Sequence, residues 1–281
     1  MSDKFMNNGE PVLEICISTY GERINRLSSL PFLSNCRYLI VHQAYIDVFI
    51  SNDAKERFSY QDITLIKSDT KGLTNSRNEA LKYSTEGLIL ISDDDVIYEH
   101  DVADKIFLAK KNNPFDIALF KAKVVEDSTD FRIYPIKSRK LRKIECLHAC
   151  SIEMVLDKKR IDASGVFFNK CFGIGAKFIC GEESIFLFDA IDANLSVSFI
   201  SQHIVSHPKE STATNKNNVF SILKAKGAVY RYGFGFIIGL LLILRLCFLK
   251  SISKVMGVSK FYFLKGLLTG FMAIAGTSQD K

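Results

Sequence analysis

The stretch 87-GLILISDDDVIYEH-100 decides how the whole chain reads. Four apolar residues, 88–91, run through Ser92 into Asp93, Asp94 and Asp95. An unbroken apolar run of that length fits a strand buried on both faces, as in a parallel sheet. Three adjacent carboxylates repel one another unless positive charge lies between them. Magnesium or manganese, held by one or two carboxylates and by substrate phosphates, would supply it. The competing reading is a solvated turn or a helix cap, and a strand leading directly into the acids weighs against it.

Outward from this stretch the chain alternates strands and helices. Residues 12–18 (VLEICIS), 36–43 (CRYLIVHQ) and 62–68 (DITLIKS) read as buried strands. TYGERINRL, from Thr19, reads as a turn leading into a helix. Ser76 and Glu79 form an S-x-x-E capping pattern, which predicts a helix from there to about Tyr83. A helix over 101–112, a strand in FDIALFKAKVV, a Gly-containing loop from Phe172, a helix over 184–193 and a strand ending at His207 follow. The basic stretch before Ile144 shows no clear period. The pattern predicts an α/β fold with a mostly parallel sheet flanked by helices, in which ligands bind beyond the carboxyl ends of the strands. The aspartates stand at that edge.

Charge divides the chain. Eleven Lys or Arg against two acids from Lys209 onward give +9 of the total of +6, leaving −3 for residues 1–208. The same tail is strongly apolar at 233–249 (GFGFIIGLLLILRLCFL) and 261–276 (FYFLKGLLTGFMAIAG), so a nucleic-acid arm is excluded and a membrane surface is the expected partner. The 17-residue first segment is short for a span and contains Arg245. Two amphipathic helices on the inner leaflet, or a shallow hairpin, fit better than two spans. A polar boundary between Pro208 and Ala225 predicts a catalytic domain over 1–224 and a membrane-associating helical tail over 225–281. The N-terminal residues carry no charged-then-apolar signal pattern. Seven cysteines without a CxxC pair read as reduced thiols in a cytosolic setting. Cys146, His148 and Cys150 lack a second zinc-ligand pair downstream and read as core residues.

Taken in order, ICISTYGERI (15–24), KGLTNSRNEAL (71–81), ILISDDDV (89–96) and CGEESIFLFDA (180–190) resemble a family-2 glycosyltransferase of the GT-A fold. The resemblance implies a nucleotide-sugar donor, a divalent metal and inversion at the anomeric carbon. It implies that Thr19, Tyr20 and Glu22 line the nucleotide pocket, with Gly72, Arg77 and Asn78 beside the nucleotide. Asp93 and Asp95 match the D-x-D element, Asp95 as metal ligand and Asp93 nearer the ribose, with Asp94 between them in the nucleotide-sugar site. Glu183 matches the general base, and His207 resembles a histidine that completes the metal or diphosphate site, with His203 competing for that place. Lys71 is a further candidate phosphate contact. Two departures stand out. Gln43 occupies a region where the family carries an acid that reads the base, and the usual Glu-Asp pair is here Glu182-Glu183.

These residues suit inverting transfer, in which one base takes a proton from an acceptor hydroxyl while a leaving diphosphate gains charge. The leading expectation is a sugar transferase at the cytoplasmic face of the membrane, acting on a saccharide or lipid-linked acceptor in bacterial-type polysaccharide or glycolipid synthesis. A metal-dependent phosphohydrolase and a non-catalytic phosphate-binding, membrane-docking module are the alternatives.

Overall fold

A computed structural model describes residues 6–7, 10–85, 87–209, 218–248 and 257–274. The central sheet is built from β1 (Leu13–Tyr20), β2 (Cys36–Gln43), β3 (Ile63–Ser68), β4 (Leu88–Asp93), β5 (Ile97–Tyr98), β6 (Ile117–Val124), β7 (Arg139–Lys140), β8 (Met154–Asp157) and β9 (Val197–His207). Its order is β3-β2-β1-β4-β8-β6-β9-β5, with β7 paired to β9. The first four strands are parallel, and so are β6 and β9. β8 runs antiparallel between β4 and β6.

Side chains alternate across β1, β2 and β4, as a two-residue period requires. Ile15, Ile17, Ile40 and Leu90 face one core. Cys16, Leu39, Val41, Ile89 and Ile91 face the other. Helix α3 (Val102–Asn112) covers the first through Val102, Ala103 and Ile106. Helices α2 (Leu73–Tyr83) and α5 (Glu182–Asp192) cover the second. Two shorter helices, α1 (Asn52–Phe58) and α4 (Lys158–Ser164), complete the α/β part.

Two helix starts differ from those expected. Helix α2 begins at Leu73, not at Ser76, because Gly72 adopts φ +93° and turns the chain into the helix three residues earlier. Ser76 therefore lies inside the helix, buried, with its hydroxyl donating to Ser18 Oγ at 2.8 Å. Helix α5 opens at Glu182 after Gly181, at φ +100°, so both glutamates belong to its first turn. The segment after Thr19 is a 3₁₀ helix, Gly21–Ser29.

The tail forms helix α6 (Val219–Phe248) and helix α7 (Lys260–Ala273). Helix α6 is long and apolar enough by composition to cross a membrane, with a mean hydropathy of 1.8. It is broken at Gly235 (φ 71°, ψ −169°). Before the break, Ala225, Ala228 and Val229 join the core of the α/β domain. Beyond it, Phe236, Ile237, Ile238, Leu241 and Phe248 are exposed. Helix α7 crosses α6 at backbone contact, since a Cβ at Gly270 would overlap the Lys224 carbonyl and one at Gly227 that of Leu267. Glycines at a helix crossing allow this approach. Most of the polar boundary segment, 210–217, and the lysines at 250 and 254 lie outside the described residues.

Candidate active site

The carboxyl ends of β1, β2 and β4 lie side by side, with Ser18 opposite Asp93, Thr19 opposite His42 and Tyr20 opposite Gln43. Helix α2, directly behind this edge, sends Arg77 into it. The Arg77 side chain is buried and reaches four partners: Nη1 donates to Glu182 Oε1 at 3.0 Å and Glu183 Oε1 at 3.2 Å, and Nη2 to Ser151 Oγ at 2.7 Å and Asp93 Oδ1 at 3.4 Å. One guanidinium thus ties three of the four sequence elements together. Burial works against its charge, but Asp93, Glu183 and Glu182 together raise its pKa.

The two glutamates differ in outlook. The Glu182 side chain is 6% exposed and that of Glu183 is 15%, so Glu183 is the one turned toward solvent. Burial first, and the neighbouring Glu182 charge second, push the Glu183 carboxyl well above the usual carboxylate range against the pull of Arg77. A carboxyl in this state changes protonation not far above neutral pH, in the range where acid–base groups exchange protons most effectively. Glu182 Oε2 and Arg77 Nε are buried without a hydrogen-bond partner among the described residues.

The three aspartates take three environments. Asp93 meets Arg77 and accepts from Ser151 Oγ at 3.4 Å. The Asp94 side chain is 2% exposed and accepts from Thr19 Oγ1 at 2.8 Å and Arg23 Nε at 3.0 Å. Asp94 and Thr19, expected against the nucleotide, thus lock the loop after β1 to the end of β4. Burial raises the Asp94 pKa against these partners. Asp95 points outward: His207 Nε2 lies 3.1 Å from its Oδ1, and this contact is the main cause of its lowered pKa. The same contact raises the pKa of His207. His203 pairs instead with Asp130 at 2.6 Å.

The donor set fits a hard divalent ion. Asp93 and Asp95 offer carboxylate oxygens beside one imidazole, and His207 Nδ1 donates to the Pro208 carbonyl at 2.7 Å, so Nε2, hydrogen-bonded to Asp95 here, is the nitrogen that would give up its proton to take an ion. Elsewhere Glu99, His100 and Asp101 bring three ligand atoms within 4.8 Å of one another, but Lys105 and Lys123 already bridge the two acids.

The remaining expected residues surround this centre. Tyr20 is 53% exposed at the strand edge, and Glu22 and Lys71 are exposed. A Cβ at Gly72 would make a tight 3.2 Å contact with the Ile174 carbonyl oxygen, and its φ of +93° already disfavours any other residue. Asn78 uses its amide to clamp the Phe168 backbone, donating and accepting at 2.8 Å. Gln43 is buried and donates to Thr70 Oγ1 at 2.9 Å and the Gly72 carbonyl at 3.2 Å, joining the end of β2 to the loop between β3 and α2. Cys146 lies in the core and donates to the Arg142 carbonyl, and all seven cysteines are free thiols. Ser151, Arg23 and Arg26 were not foreseen. Ser151 belongs to a segment without a periodic signal, whereas the two arginines sit in TYGERINRL and their spacing, on one side of a 3₁₀ turn, was legible.

The mixed sheet, the loops at its carboxyl edge and the acid-bearing centre define a GT-A-like nucleotide-sugar glycosyltransferase fold. Solved structures share it: S. aureus TarS 1–349 in complex with UDP-GlcNAc superposes with a TM-score of 0.60 at 14% identity, covering 88% of this chain and 76% of that one. TarS 1–349 alone gives 0.58 at 13%, covering 91% and 81%. No curated protein shows significant sequence similarity to the chain. The profile of Glycosyl transferase family 2 matches residues 16–189, and the chain belongs to that family. It is a glycosyltransferase, and the phosphohydrolase and non-catalytic readings fall away.

Proposed function

We propose that the protein transfers a sugar, with inversion, from a nucleoside-diphosphate donor to a hydroxyl of a saccharide or lipid-linked acceptor. The observation that carries this reading is the Arg77 hub, which holds the Glu183 carboxyl and the Asp93 end of β4 on a single buried guanidinium. A structural relative, S. aureus TarS, was solved with UDP-GlcNAc and with UDP, which supports a nucleotide-sugar donor.

In this reading Tyr20, Glu22 and Gly72 border the nucleotide, while Asp93 faces the ribose. Asp95 and His207 hold manganese or magnesium. When bound, that ion supplies Lewis-acid stabilisation of the leaving diphosphate. Glu183 takes the proton from the acceptor hydroxyl as that oxygen attacks the anomeric carbon, and Glu182 fixes the guanidinium that orients it.

The tail supports a membrane-bound acceptor in polysaccharide or glycolipid synthesis. Beyond Gly235 the apolar part of α6 runs 13 residues to Phe248, and α7 has 14. At 1.5 Å per residue each spans about 20 Å, short of a hydrocarbon core of about 30 Å. The exposed faces of both helices, with Phe261 and Met272 on α7, suit the cytoplasmic leaflet surface. In this division residues 1–224 carry the chemistry and 225–281 the attachment, although Ala225 and Val229 join the two parts in one core.

Glu183→Gln tests the assignment. Gln keeps the shape and loses the proton-accepting charge, so donor binding should persist while transfer falls at least about a hundredfold. Full transfer by Glu183→Gln together with a dead Glu182→Gln would reverse the roles.

A further inference from the structure

The 3₁₀ helix Gly21–Ser29 places two guanidiniums over the aspartate cluster. Arg23 Nε donates to Asp94 Oδ1 at 3.0 Å, and its Nη2 lies 3.7 Å from Asp95 Oδ2. Arg26 Nη1 lies 3.6 Å from Asp94 Oδ1 and 3.8 Å from Asp95 Oδ2. Asp93 already has Arg77. Asp94 and Asp95 therefore face two of the protein's own cations, while Asp93 shares Arg77 with Glu182 and Glu183.

Stability does not account for Arg26. Its side chain is 54% exposed and its contacts are long, a type of ion pair that adds little to stability. Its placement does have an electrostatic consequence. A divalent ion approaching Asp95 meets positive charge on that carboxylate, whereas a diphosphate arriving at the same edge meets two planar guanidinium forks suited to phosphate oxygens.

We propose that Arg23 and Arg26 are an internal counter-ion pair that a divalent cation must displace from the aspartates, and that the displaced guanidiniums bind the donor's diphosphate. Diphosphate thereby draws the arginines off the carboxylates and opens the cation site, so the ion binds poorly alone and well with the donor. The proposal rests on the reading of Asp95 as a cation ligand.

The test uses the full-length protein, manganese alone and inorganic diphosphate alone. Arg26→Gln should bind manganese on the order of tenfold more tightly than the parent, read from the electron paramagnetic resonance of the free ion, since a unit charge is removed from beside a divalent ion in a solvated cleft. With chelator present, the same variant should bind diphosphate on the order of tenfold more weakly by calorimetry. Arg23→Gln should shift both in the same directions. It also strips a partner from buried Asp94, so the exposed Arg26 variant decides if Arg23→Gln does not fold. Unchanged or weaker manganese binding in Arg26→Gln, or unchanged diphosphate binding, overturns the proposal. Manganese binding that survives Asp95→Asn overturns the cation-ligand reading beneath it, whereas binding lost in Asp95→Asn yet equal in Arg26→Gln and the parent overturns the counter-ion pair alone.

Discussion

Replacing Arg77 by Met should show how much of this architecture depends on one buried charge. Met is close in volume and apolar, so the substitution removes the guanidinium with little cavity. The Arg77 side chain is 2% exposed, and the carboxylate it serves most deeply, Glu182, is 6% exposed. Breaking such a pair from one side leaves an uncompensated buried charge and costs about 3–5 kcal/mol. Glu183 and Asp93, nearer to solvent, add less, because water can replace part of what they lose. At roughly 2–4 °C per kcal/mol for a domain of this size, the melting temperature should fall by about 6–20 °C. The loss should also depend on pH. Burial and the Glu182 charge already raise the Glu183 pKa to about 8, and without Arg77 it rises further, so above that value the variant's native state holds a proton that the parent's has released. The deficit therefore grows as pH rises from about 7 to about 9. Denaturant unfolding of parent and variant at about pH 7 and about pH 9 measures both effects. A loss under about 1 kcal/mol at about pH 9, or one that shrinks as pH rises, would refute the claim that Arg77 offsets the glutamates.

Because burial and the Glu182 charge raise the Glu183 pKa, kcat/KM should fall as pH drops through a value above the ordinary glutamate range. Glu182→Gln removes the like charge and leaves Arg77 to Glu183, so this acidic limb should move to lower pH; a shift upward contradicts the electrostatic assignment. Asp95→Asn should abolish the manganese dependence of nucleoside-diphosphate binding, and calorimetry showing the parental dependence would move the ion elsewhere. Ile237→Asp with Leu241→Asp, both on the exposed face of α6, should weaken binding to anionic vesicles while sparing transfer to a soluble acceptor. Parental co-flotation of the double variant with vesicles would remove α6 from the membrane surface.

Where the fold obeyed a short-range rule, the sequence displayed it. The strand Cys36–Gln43 coincides with its expected bounds, and β1 and β4 deviate by two residues or fewer at each end, because buried parallel strands write themselves as apolar runs. Helix α2 was placed too late because the S-x-x-E pattern and a left-handed glycine give competing start signals. The glycine won, since its conformation is needed for the close approach of Ile174 and Gly175. β8 went unseen, being only four residues long and lying in a segment whose neighbours are basic and aperiodic.

The site was legible in parts but not in its wiring. Residue types at strand ends announce chemistry, whereas the partner of a buried arginine depends on which loops close over it, and that is a long-range outcome. Arg77 meets Glu182 across 105 residues of chain and Ser151 across 74. The Ser151 contact requires the antiparallel entry of β8, which brings that segment beside β4, and the Glu182 contact requires the glycine loop before α5 to fold back on α2. That loop is held from two sides: Leu73 N–H donates to the Ile174 carbonyl at 3.1 Å, and Lys177 Nζ donates to the Ala273 carbonyl of α7 at 3.1 Å. Gly181, just before the glutamates, faces Val229 of α6 so closely that a Cβ would meet its Cγ2 at 2.5 Å. The apolar tail and the glutamates of α5 are therefore neighbours through one loop. Under the proposed membrane attachment, the helix pair bears directly on the segment that positions Glu183.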